Sequence, residues 1–404
     1  MRNNVLTIFL LVIVIYSNAQ DLLWTKKCSD QQRATYGVAF SADGSRVLSG
    51  SECHPSSIRV WDASNGNMLW DYSVGGNLMC QSAVKFSSNG NYFASVEEAG
   101  NLLVFDNSDT IPSLLYTFDV KSSASYSLDF SPDNQRVVLD GKDDSVKVFD
   151  IASGNLMLGI KTFHAGGVYS VAYKHDGLQI VSGGQDKRVK IWNASTGDTV
   201  RTLVGHAAKL VSVKFSKDDN FIFSADANGT IRQWSTIDYS LIRIFNVGES
   251  ISQIAISQDA KYLVAAGNTK AWLVDVEQNQ VLQSFNTIGG GKVYSVDFNP
   301  SATNVVLGNS NGDVSLYSIA NLVSTIGELN PTNLLLYPNP AHQTLHLPSN
   351  VDDSFYTITT LDSKNVLSGS NSKGIIDVSI LPSGIYFIEL TMGNKTHQGK
   401  FLKN

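Results

Sequence analysis

Two stretches of this 404-residue chain repeat one set of chemistry-bearing residues at identical spacing. His164, Ser182, Asp186 and Trp192 form the first set, and His206, Ser224, Asn228 and Trp234 the second. A serine, a histidine and an aspartate brought together can perform nucleophilic acyl transfer. The motifs that usually accompany catalysis are missing: there is no nucleophile elbow, no zinc-protease His-Glu-x-x-His and no Walker loop. The glycine run at 289–291 lacks the strand–helix setting of a dinucleotide loop. Acidic turns at 140–144 and 226–229 lack the closing glutamate of a calcium loop and read as solvated turns. The three cysteines, Cys28, Cys53 and Cys80, have no Cys-x-x-Cys spacing. No metal or cofactor is expected.

A repeat positions these side chains. Seven segments share one pattern: 36–44 (YGVAFSADG), 82–90 (SAVKFSSNG), 126–134 (YSLDFSPDN), 169–177 (YSVAYKHDG), 211–219 (VSVKFSKDD), 252–260 (SQIAISQDA) and 294–302 (YSVDFNPSA). The fifth residue of each falls at 40, 86, 130, 173, 215, 256 and 298, a period of 41 to 46 residues. A fixed period of this length means one supersecondary unit repeated. Each unit reads as four short strands with turns of Gly, Asp and Asn between them, as at 178–182, 189–192 and 199–203. A lone four-stranded unit cannot bury both faces; seven packed in a circle can.

The runs 58–62 (IRVWD), 189–193 (VKIWN) and 231–234 (IRQW), with Gly205 and His206 ahead of the fifth unit, resemble the WD40 family. The resemblance covers about three quarters of the chain. Phe105, Phe149 and Tyr317 depart from it by standing where tryptophan is usual, and the sixth unit is short around Trp272. It implies an all-β fold, a seven-bladed WD40-like β-propeller over 20–322. It also gives the two histidine sets a structural role: each His bonds an acid in the turn after the second strand, a Ser on that strand and a Trp on the third. On this pattern Asp186 serves the fourth blade and Asn228 the fifth. The strand at 22–25 resembles the fourth strands of other units, such as 281–285, and is expected to complete the last blade.

The chain's two ends carry export signals. Arg2, a twelve-residue apolar run from Val5 to Tyr16 and small residues up to Ala19 read as a secretory signal peptide over 1–19. The run is too short to span a bilayer, and no transmembrane anchor is expected. After a linker at 323–333, three landmarks follow: 334–341 (LLLYPNPA), 381–390 (LPSGIYFIEL) and 399–403 (GKFLK). They resemble the C-terminal sorting domain of type IX secretion substrates, a small Ig-like β-sandwich over 334–404. That resemblance implies a partner, the type IX machinery, and a route to the surface of a gram-negative cell or beyond it.

The net charge is −6, which argues against nucleic acid as a partner. Residues 334–404 sum to zero, so the acidity lies in the propeller region. In WD40 proteins the first residue of the aligned five borders a funnel on the top face, and here it is tyrosine four times: Tyr36, Tyr126, Tyr169 and Tyr294. Tyrosine offers flat apolar area and a hydroxyl, suited to an extracellular protein or glycan. Rings packed between blades are the structural alternative. Lys85, Asp129, Lys214 and Asp297 interrupt an otherwise small and apolar inner pattern and are not read as a set. The sequence therefore predicts a non-enzymatic binding scaffold, with a lyase- or lactonase-like propeller enzyme and a structural matrix component as alternatives. Cys53 is expected to pair with Cys28 or Cys80, because all three fall in loops of the same face. Intact mass of the exported protein, alkylated with and without reduction, checks both ends of this reading. The expected outcome is a chain beginning at Gln20 with one thiol reactive before reduction; three reactive thiols would rule the disulfide out.

Overall fold

A computed structural model describes residues 21–28, 33–52, 56–74, 80–97, 100–109, 111–120 and 125–320, and, toward the C-terminus, 336, 341–347, 354–360, 364–371, 374–392 and 395–403. The expected signal peptide, the 323–333 linker and Cys53 lie outside the described residues. Two compact units are present, Met1–Ala320 and Asn321–Asn404.

The first unit is built from seven four-stranded antiparallel sheets. Their inner strands are Thr35–Phe40, Gln81–Phe86, Leu128–Phe130, Val168–Tyr173, Leu210–Phe215, Ile251–Ile256 and Val293–Phe298. Each inner strand neighbours the next, and the seventh neighbours the first, so the ring is closed. Blade faces are buried against each other: Val138, Val146 and Val148 of the third blade share a core with Val171, Tyr173 and Trp192 of the fourth. Outer strands such as Leu156–Lys161 are largely exposed, with Ile160 alone buried, as befits the outermost ladder.

Closure occurs where the sequence places it. Asp21–Lys27 is the outer strand of the seventh blade and pairs antiparallel with Asp313–Ser318, from Asp21 opposite Ser318 to Lys27 opposite Asp313. Trp24 on this strand is buried, and its Nε1 donates to Ala63 O of the first blade at 2.9 Å. One side chain thus ties the last blade to the first.

A recurring irregularity matters most for the site. In six blades the register of the inner strand shifts between its first and third residues: Thr35/Gly37, Gln81/Ala83, Val168/Ser170, Leu210/Ser212, Ile251/Gln253 and Val293/Ser295. The residue between is a β-bulge, which breaks alternation and re-aims one side chain. Tyr36, Tyr169 and Tyr294 sit on bulges. The third blade does it differently: Asp140 Oδ1 accepts the backbone N–H groups of Tyr126 and Ser127, both at 2.9 Å, so the inner strand starts only at Leu128.

The second unit is a small β-sandwich. One sheet has four antiparallel strands, Asn365–Asn371, Ser354–Thr359, Gly384–Met392 and Lys395–Lys403 in spatial order; the other pairs Thr344–His346 with Ile375–Asp377. Leu345, Ile358, Ile376, Ile388, Leu390 and Phe401 form its own core.

Replacing Trp24 by Ala removes a buried indole and the tie from blade seven to blade one. The expected cost is about 3 kcal/mol, read as a lower denaturant midpoint. An unchanged midpoint would mean the ring does not depend on this seam.

Candidate functional site

The two histidine sets assemble in the blades. His164 Nδ1 lies 2.6 Å from Asp186 Oδ1 and its Nε2 2.9 Å from Ser182 Oγ, while Trp192 Nε1 donates to the same Oγ at 2.8 Å. The geometry is that of an acyl-transfer triad, but nothing can reach it: His164 and Ser182 are fully buried, and the indole N–H occupies the serine oxygen. Burial holds both His164 and His206 below the ordinary imidazole value, against the pull of their aspartates. A neutral ring with its proton on Nδ1 satisfies every member: it donates to Asp and accepts the Ser hydroxyl.

The fifth blade corrects the expectation for Asn228. His206 Nδ1 contacts Asp226 Oδ2 at 2.9 Å and its Nε2 Ser224 Oγ at 2.7 Å, with Trp234 Nε1 on the serine at 2.8 Å. Asn228 only donates its backbone N–H to Asp226 Oδ1 at 3.0 Å. The acid has moved to the end of the second strand, where one oxygen holds the imidazole and the other holds the N–H groups of Asn228 and Thr230. Blade one carries a variant the sequence pattern did not show. Trp61 Nε1 donates to Ser49 Oγ at 2.8 Å, and the buried Cys28 Sγ stands 3.7 Å from that oxygen, in the place of the histidine. Thr35 Oγ1 also donates to Cys28 Sγ at 3.3 Å.

The four candidate tyrosines all line one top-face funnel of about 410 Å³. Each is half-buried. Tyr36 and Tyr294 are in contact across the seam, with centroids 4.7 Å apart; Tyr126 and Tyr169 stack at 5.8 Å. Alternation alone would have turned Tyr36, Tyr169 and Tyr294 toward the blade interior with Val38, Val171 and Val296; the bulges turn them to the funnel. Tyr36 Oη donates to Glu52 Oε2 at 3.2 Å. Lysines lie over three of the rings: Lys142 over Tyr126 at 5.0 Å, Lys209 over Tyr169 at 4.8 Å and Lys292 over Tyr294 at 5.0 Å.

Deeper in, Lys85, Asp129, Lys214 and Asp297 do form a set, contrary to the sequence reading. Lys85, Lys214 and Asp297 line one channel and Asp129 joins them through Lys85, so closing the ring brings together residues up to 212 positions apart (85 to 297). Lys85 Nζ lies 2.9 Å from Asp129 Oδ1. Burial works against the Lys85 ammonium, yet Asp129 outweighs it and holds Lys85 above its ordinary value. Lys214 has no such close carboxylate; burial and the Lys85 charge push it down to about 8. Asp297 is raised by burial, against Phe40 N–H and the two lysines. Asp129 and Asp297 are also latches: Asp129 Oδ2 accepts Tyr173 N–H and Asp297 Oδ2 accepts Phe40 N–H, each at 2.9 Å and each from the following blade.

Comparison with known proteins agrees with this architecture. The family model for the WD domain, G-beta repeat, matches residues 25–62, 112–150, 158–193 and 197–235. The model for the secretion system C-terminal sorting domain matches 335–404. The chain carries four WD40 repeats and ends in a type IX sorting domain. Among curated proteins, this WD40 chain is similar to pre-mRNA-processing factor 19 of Bos taurus, 24% identical over 121 residues, which is 29% of this chain and 24% of that protein. The same protein from Caenorhabditis elegans is 25% identical over 126 residues, 30% of this chain and 26% of its own length. The match thus spans about a quarter of these relatives. Among the described residues of the WD40 chain no helix is long and apolar enough to cross a membrane, and no group of three or more metal-binding side chains occurs.

Asp140, which positions Tyr126, is itself titratable near neutrality. Burial raises its carboxyl to about 7, against the donors that face it, and its Oδ2 is buried with no partner. A raised folded-state value means stability that is present at pH 4 and lost as pH rises through about 7. The histidines work in the opposite sense, since their depressed values lose stability below the ordinary imidazole value. Comparison with Asp140→Asn isolates the acid. Wild type should lose stability relative to this variant between pH 4 and 8, by up to roughly 1.4 kcal/mol per pH unit. Parallel urea-midpoint profiles would show that Asp140 is ionised throughout.

Proposed function

We propose that this exported WD40 protein is a non-catalytic binding scaffold whose ligand enters the tyrosine-lined funnel. One observation carries the reading: four blades contribute a half-buried tyrosine to a single cavity, three of them by bulges that turn the ring out of the blade. Bulges that re-aim side chains recur at functional edges, and a concave site lined by aromatic rings with a few polar groups is the usual form of a recognition site. The sorting domain supports export by the type IX route to the cell surface or outside, where a scaffold meets proteins and glycans. The enzyme alternative has one observation in its favour, the Lys214 amine held at about 8 in the channel. Against it, the two channel aspartates are engaged in holding neighbouring blades together.

The test is binding of the full exported chain to surface-protein and glycan arrays, beside a variant with Tyr36, Tyr126, Tyr169 and Tyr294 changed to Ala. Loss of binding by a folded variant is expected. Retained binding would place the site elsewhere on the propeller.

A further inference from the structure

The polar groups of the funnel wall from blade four to blade seven are unusual in kind. None of the residues lining the cavity carries a carboxylate. Lys209 and Lys292 lie over their tyrosine rings, with no carboxylate within ion-pair distance among the described residues. Both are half-buried, and the ammonium of Lys292 is depressed by burial and then by the charge of Lys209. Two like charges held near each other without a counter-ion are costly. They are also out of keeping with a chain of net charge −6.

A second, independent observation lies on the same wall. Ser212 Oγ and Ser252 Oγ are buried without any hydrogen-bond partner, and both residues line the cavity. Ser212 is 1% exposed. Its counterparts on other blades, Ser127, Ser170 and Ser295, each accept a backbone N–H from the following blade. Ser212 does not. A buried hydroxyl without a partner is costly, so two on one cavity wall ask for an occupant. Gln253, the one side-chain amide in the wall, already has its carbonyl taken by Ser295 Oγ and Val296 N–H. What this part of the wall has left to offer an acceptor is two ammonium groups, which can only donate, and two hydroxyls with a proton free to give.

The complement of such a wall is a group that only accepts, which among biological side chains is an ionised carboxylate. We propose that the funnel captures an acidic peptide segment of a partner protein, its Asp or Glu carboxylates facing Lys209 and Lys292 and hydrogen-bonded by the hydroxyls of Ser212 and Ser252. The tyrosine faces flank the peptide, and Lys214 contributes positive charge at the floor. This assignment rests on the reading of the funnel as the binding site.

Fluorescence anisotropy on the full exported chain tests it with three probes: a labelled oligoglutamate octapeptide, an oligoglutamine octapeptide and a labelled trigalacturonate. The glutamate peptide should bind, more weakly as salt rises, and at least tenfold more tightly than the other two. Lys209→Met with Lys292→Met should lose at least tenfold in affinity for it, while Lys209→Arg with Lys292→Arg keeps it. Thermal unfolding of both variants, with midpoints like wild type, removes misfolding as the cause. Equal binding of the glutamate and glutamine peptides, no binding of either, or an unaffected methionine variant overturns the proposal. Tighter binding of trigalacturonate overturns it in favour of an anionic glycan. An uncharged array ligand that is lost with the four tyrosines but kept by the methionine variant sinks the acidic-peptide assignment and leaves the scaffold reading standing.

Discussion

Each blade of this ring has an inner strand with only one neighbour in its own sheet, so a row of backbone N–H groups faces the channel unpaired. An edge of that kind must be satisfied or it becomes a liability. Here the preceding blade satisfies it. Ser295 and Asp297 accept the N–H groups of Val38 and Phe40; Ser127 and Asp129 accept those of Val171 and Tyr173; Ser170 accepts that of Val213 and Gln253 that of Val296. The second and fourth residues of the repeated five are therefore the latches between blades. Where blade one meets blade two, the second residue is Gly37, and a Cβ there would fall 2.9 Å from Val84 N. The ring closes at that joint by backbone approach instead of by a side-chain bond.

One strand thus performs three tasks with five residues. Its third and fifth side chains bury against neighbouring blades. Its second and fourth reach across to the next blade. Its first, displaced by the bulge, is left to face outward. The division explains why the funnel and the channel differ in chemistry. Funnel residues are not needed for closure and are free to be tyrosine, serine or valine. Channel residues are needed, and their charges are largely engaged with the next blade or with each other. Ser212 is the instructive exception: it occupies a latch position but holds nothing.

Much of the fold was legible because it is written along the chain. The 41-to-46-residue period, the turn residues and the alternating strands act over a few positions, and the strand at 22–25 matched other fourth strands by pattern alone. The tyrosines were legible as a position, though not the reason they face the funnel, since a bulge has no side-chain signature and alternation predicts the opposite. The blade-four spacing points to Asn228; a two-residue shift of the acid to Asp226 at the strand end leaves hydrogen-bond reach intact while breaking the sequence match. Cys28 could not be seen as a stand-in for histidine, because the strand it follows is borrowed by a blade from the other end of the chain. The channel quartet was missed for the same reason: its members are neighbours only after the circle closes. One signal was available. Lys and Asp at the fourth position, in strands otherwise small and apolar, are paired charges expected to find each other.

The seam between Asp21–Lys27 and Asp313–Ser318 has a mechanical consequence. The strand from which the chain leaves the propeller toward its C-terminal domain is not the outermost of its sheet; it has a ladder on each side, to Asn304–Asn309 and to Asp21–Lys27. If the protein is held by its C-terminal end, any pull on the chain enters the ring at a strand clamped on two flanks. Two ladders must rupture together before a blade can be drawn out, where an outermost strand would peel away by losing one.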